Sequence, residues 1–102
     1  MKKGSPNIKE ACRAEAGAAR SQADAARKRA AALRDVARAR IASAAGDPDR
    51  AERLRNEAGF ARREAELQEA NARVYEAEAA RADAQADAEE AISARKATKM
   101  RR

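Results

Sequence analysis

"AAGDPDRAE", residues 44–52, is the stretch on which the fold turns. Gly46 reads as a helix-terminating residue and Asp47 as the cap of a new helix. Pro48 takes the first helical position, where a missing N–H costs nothing, and Asp49 and Glu52 put negative charge in the first turn. A link only two residues wide joins helices that run antiparallel. The punctuation therefore predicts a helical hairpin.

Upstream, "GSPNIKE" at 4–10 repeats the start signal, with Ser5 as cap and Pro6 in the first helical position. Gly17 and Gly59 stand alone inside helical pattern, each costing about 1 kcal/mol without ending a helix. The organisation follows: a basic arm at 1–5, a helix over 6–45, a turn at 46–47, a helix over 48–94, and a basic tail at 95–102 that is frayed or ordered by a partner.

Composition supports helix and argues against a self-sufficient core. The 102 residues include 32 Ala, 17 Arg and 11 Glu, against three Leu, three Ile and two Val. Alanine, arginine, glutamate and lysine are strong helix formers. Ala, Glu, Lys, Leu and Arg together make up 69 residues, the composition of coiled coils and long helices rather than of disorder. At roughly 25 cal/mol per Å² of apolar surface, so few large side chains do not offset the entropy of ordering the chain. The excess of Arg over Lys with abundant Ala marks a GC-rich coding sequence, which favours a natural origin over a designed helical bundle.

Alanine follows heptad spacing. In the first helix one column reads Cys12, Ala19, Ala26, Leu33 and the next Ala16, Ala23, Ala30, Ala37, Ala44, with Ile41 near the turn. A further column, Ala11, Ala18, Ala25, Ala32, Ala39, widens this stripe. In the second helix Ala51, Ala58, Ala65, Ala72, Ala79 and Ala86 run beside Leu54, Ala61, Gln68, Tyr75 and Ala82. Alternating spacings of four and three make a coiled-coil seam, and small seam residues let helices approach to the short end of 8–10 Å. The fold class is thus all-α, an alanine-rich antiparallel coiled coil.

The second helix carries another apolar face, Phe60, Leu67 and Val74, continued by Ala70, Ala77, Ala84 and Ala91. One hairpin partner does not cover both faces. Further helices, from copies of the chain or from another helical protein, are expected to join a multi-helix bundle or larger array. Pairing of residues whose numbers sum to about 94 places Leu33 by Ala61 and Phe60, and Ile41 by Leu54. The larger side chains then cluster near the turn, making that half the stable one.

Charge is unevenly spread. Residues 1–46 hold 11 basic and 4 acidic groups, residues 64–90 hold two basic groups and nine carboxylates, and 95–102 hold five basic groups and no acid. Arg13, Arg20, Arg27 and Arg34 form a strict seven-residue column, expected to run past Glu66, Glu69, Glu76 and Glu78. The hairpin gathers Lys2, Lys3 and Lys9 with Arg95, Lys96, Lys99, Arg101 and Arg102 at one basic tip, suited to an acidic partner or simply to solvent.

Catalytic patterns are missing from the sequence. There is no His, no phosphate-binding glycine loop and no Glu-x-x-His pair for a di-metal bundle. Cys12 is the sole cysteine and reads as a small seam hydrophobe. No enzyme activity, cofactor, metal or small-molecule substrate is expected. No membrane span and no secretory signal are read, so an intracellular protein, or a part of an intracellularly assembled particle, is expected. The leading expectation is a structural assembly protein, such as a component of a phage-like virion. The alternatives are a basic accessory protein that binds or packages nucleic acid, and a designed bundle without biological function.

Overall fold

The computed structural model describes residues 7–100, and within them only Asn7 and residues 44–47 lie outside two helices. These are α1 (Ile8–Ser43) and α2 (Pro48–Met100), forming an all-α helical hairpin. The Ser5 cap, Pro6, Lys2, Lys3, Arg101 and Arg102 fall outside the described residues.

Each helix end has a local cause. At the start of α1 it is Asn7 that caps: its side-chain oxygen accepts from the Lys9 N–H at 2.8 Å, and its carbonyl from the Ala11 N–H at 2.9 Å. The helix stops two residues before the expected boundary of 45. It tightens through i→i+3 bonds, the Ala44 N–H to the Ile41 carbonyl and the Ala45 N–H to the Ala42 carbonyl. Gly46 lies in the turn, yet its backbone is outside the left-handed region, so the stop is not a left-handed glycine cap. Asp47 caps α2 as read: its carboxylate accepts from the Arg50 N–H at 3.2 Å and its carbonyl from the Ala51 N–H at 2.9 Å.

The far end of α2 differs from the expected boundary of 94. The helix runs through Met100, because residues 94–99 contain Ala94, Arg95, Lys96, Ala97 and Lys99 and no helix breaker. Thr98 adds a hydroxyl bond to the Ala94 carbonyl at 3.0 Å. Arg95, Lys96 and Lys99 therefore stand on exposed helix.

The hairpin divides into two compact units, one built from residues up to 21 with 75 onward, the other from 22–74. In the first, Ala16, Ala19, Ala79 and Ala82 form a buried cluster, and Cys12 and Ala86 are also buried. In the second, Ala44, Ala51 and Leu54 cluster with half-buried Ile41, while Ala23, Ala26, Ala30, Ala65 and Ala72 are buried along the seam. The buried set among the described residues is twelve alanines, Cys12 and Leu54. Methyl-sized side chains hold these helices together.

Ten of the fourteen buried positions pair across the hairpin, each within its own unit, so that their residue numbers sum to 98. Ala16 matches Ala82 and Ala19 matches Ala79 in the first unit; Ala26 matches Ala72 and Ala44 matches Leu54 in the second. The expected sum of 94 was short by about one helical turn. The chain must cross from one helix axis to the other, and Ala51, not Pro48, is the first α2 residue buried after that crossing. Ile41 does pack against the cluster containing Leu54.

Candidate functional site

The register decides which charges meet. In the first unit Arg13 donates to Asp83 at 3.0 Å and to Asp87 at 2.7 Å, Arg20 also pairs with Asp83, and Lys9 reaches Glu90 at 3.1 Å. In the second, Arg34 holds Glu69, and Arg40 stands 3.7 Å from Glu57. At its upstream end the arginine column meets Asp83 and Asp87, two carboxylates outside the expected set, which the register shift brings within reach. Glu69 is met as expected, and Glu66 also acts electrostatically on Arg34.

These contacts shift titrations in the expected senses. Hydrogen bonds from Arg20 and then Arg13 hold the Asp83 carboxyl below its ordinary range, and Arg34 does the same to Glu69. Reciprocally, Asp87 and Asp83 raise Arg13, and Glu69 raises Arg34. All four groups border solvent, so the contacts select partner and orientation more than they hold the hairpin together.

The predicted seam residues fall into three groups. Cys12, Ala19, Ala26, Leu54, Ala65, Ala72, Ala79 and Ala86 are buried; Leu33, Ala37, Ile41, Ala58 and Tyr75 are half-buried. Phe60, Leu67 and Val74 are not in the seam: they are 67%, 60% and 55% exposed. Leu33 is half-buried, whereas Phe60 is largely exposed rather than enclosed in the seam. Phe60 instead lies beneath the Arg63 guanidinium, 5.0 Å from the ring centre, a cation–π contact. The small-residue column meant to widen the α1 stripe is also exposed at Ala11, Ala18, Ala32 and Ala39.

Beside this face, within residues 22–74, runs an open groove of about 570 Å³ between the two helices. Leu33, Val36, Ala58 and Ala61 supply apolar walls. Arg29 and Arg40 line its α1 side, Glu57 and Glu64 its α2 side. Val36 and these four charged residues were not singled out from the sequence. The signal was there at i, i+4 spacing, since Val36 follows Ala32 by one turn and Glu57 and Glu64 bracket Ala61.

Neither a cluster of metal-ligating side chains nor a helix long and apolar enough to cross a membrane occurs among the described residues. In comparisons with protein families, curated proteins and solved structures, nothing matches this chain.

Proposed function

We propose that this protein is a structural component: an alanine-rich helical hairpin that associates laterally with copies of itself in a larger helical assembly. One observation carries the reading. The seam buries almost nothing larger than a methyl group, while Phe60, Leu67 and Val74, among the largest apolar side chains available, stand in solvent on another face of α2. Burying them against another hairpin supplies the apolar area that the seam lacks. An intracellularly assembled particle such as a phage-like virion is a setting in which slim, core-poor rods of this kind serve.

Sedimentation velocity across a range of concentrations tests the reading. A rising sedimentation coefficient supports it, and a single-copy species at every concentration removes it.

A second reading draws on the exposed end of α2, where Arg95, Lys96 and Lys99 offer cations on a helix without nearby carboxylates after Glu90. Under this reading the protein docks on nucleic acid through its basic end. Binding to a generic DNA duplex then weakens steeply with added salt, and binding that ignores salt excludes it.

A further inference from the structure

The outer face of residues 22–74 is patterned across its width. By the sum of 98, Ala39 stands level with position 59 on α2, Ala32 with 66 and Ala25 with 73. Each of those levels lies one residue from Phe60, Leu67 or Val74, so each of these three side chains has an α1 methyl at nearly its own level along the hairpin. Ala32 lines the groove, and Ala25 and Ala39 stand one heptad to either side of it on the same helix face. Phe60 and Leu67 stand one turn from the groove residue Glu64, and Val74 one heptad beyond Leu67. The charges divide in the same way, with Arg29 and Arg40 on the α1 rim and Glu57 and Glu64 on the α2 rim.

A face with larger apolar side chains, Glu57 and Glu64 on one side, and methyl groups, Arg29 and Arg40 on the other, is complementary to itself; within one hairpin Arg40 lies 3.7 Å from Glu57 and Arg63 covers the Phe60 ring. We propose that a second copy of this chain docks here about a two-fold axis parallel to the helices, placing α1 of each copy over α2 of the other. This rests on the association reading above and specifies its face and symmetry. The rotation preserves levels along the hairpin. Phe60 of the second copy then falls on Ala39, Leu67 on Ala32 and Val74 on Ala25, with Val36 between the incoming Phe60 and Leu67. Arg40 comes level with Glu57 of the second copy, and Arg29 comes within about five residues of Glu64, roughly 7.5 Å along the axis.

The competing two-fold axis, across the helices, fails on both counts. It stacks α1 on α1 and α2 on α2, setting Arg29 and Arg40 against the same arginines and large side chains against large. Like charges brought together in this way are a specificity device against the wrong arrangement. Both axes leave every neighbouring helix pair antiparallel, as in a four-helix bundle, so charge and side-chain size decide between them. The face runs about 21 Å from Ala25 to Ala39 and is two helices wide, so its area is toward the lower end for a specific dimer, and micromolar association is expected.

The test uses the full chain with Cys12 replaced by Ala, a residue native to the seam. Two single-cysteine variants, Ala32→Cys and Glu64→Cys, are prepared with different tags, mixed and mildly oxidised. The expected result is a disulfide between the two differently tagged chains and none within Ala32→Cys alone, because the two copies of Ala32 are diagonal across the bundle. Self-linking of Ala32→Cys overturns the axis.

In parallel, Phe60→Glu with Leu67→Glu is expected to raise the dimerisation concentration at least tenfold while circular dichroism keeps its helical signal. An unchanged dimer overturns this face and moves self-association, which it would still show, to another surface of the hairpin. A parent protein that stays single-copy at every concentration overturns both.

Discussion

Arg34 donates to both carboxylate oxygens of Glu69, from Nη1 to Oε2 at 2.7 Å and from Nη2 to Oε1 at 2.9 Å. This two-pronged contact fixes the facing of α1 and α2 between residues 22 and 74, in a seam whose methyl groups alone specify register weakly. Its loss should change pairing fidelity more than stability. Arg34→Lys keeps the charge and removes the fork. A melting temperature lowered by no more than a few degrees is expected, with a broader transition, read by circular dichroism.

The carboxylates of Glu69 and Asp83 titrate below their ordinary range in the fold. The unfolded chain therefore binds protons more tightly at these sites than the folded one. Their stabilising contribution is complete above the ordinary carboxylate pKa, about 4, and is lost as pH falls through the lower folded values. Thermal melts should be flat from neutral pH down to about 5 and fall below about 4. A fall that is already complete at pH 5 would point to other groups.

Methyl packing sets a sharp size limit at the seam. Ala26 and Ala72 are fully buried and matched in register. Ala72→Leu should destabilise by about 1–3 kcal/mol through overpacking. Ala72→Gly should cost about 1 kcal/mol through helix propensity alone. Chemical denaturation separates the two, and a leucine that stabilises would show the seam to be loose.

The turn rests on its cap. Asp47 satisfies the Arg50 N–H with its side chain, while its backbone carbonyl begins the α2 ladder. Asp47→Ala should cost about 1 kcal/mol, and Asp47→Asn much less, because asparagine caps equally well. Amide hydrogen exchange would locate the loss in the first turn of α2.

The hairpin itself was legible because caps and breakers act locally. Asp47 and Pro48 announce a helix start whatever surrounds them, and the spacing of Ala51, Ala58, Ala65 and Ala72 announces the buried face. Register was not legible. It depends on how many residues the crossing consumes, a three-dimensional quantity that put Leu54 opposite Ala44 and brought Asp83 and Asp87 to Arg13. An apolar column in the sequence also does not say which way it faces. Phe60, Leu67 and Val74 share the heptad spacing of the seam, yet stand in solvent. The groove charges Arg29, Arg40, Glu57 and Glu64 acquire meaning only when two helices bring them together.

That a hairpin with methyl-sized seams draws stability from its neighbours is tested most directly by melting it at different concentrations. Association that favours the folded form makes the melting temperature depend on protein concentration. Across a range on the order of a hundredfold, the circular-dichroism midpoint should climb by several degrees, and Phe60→Glu with Leu67→Glu should abolish the climb. A parent midpoint that stays constant, with full helicity retained in dilute solution, would contradict the account.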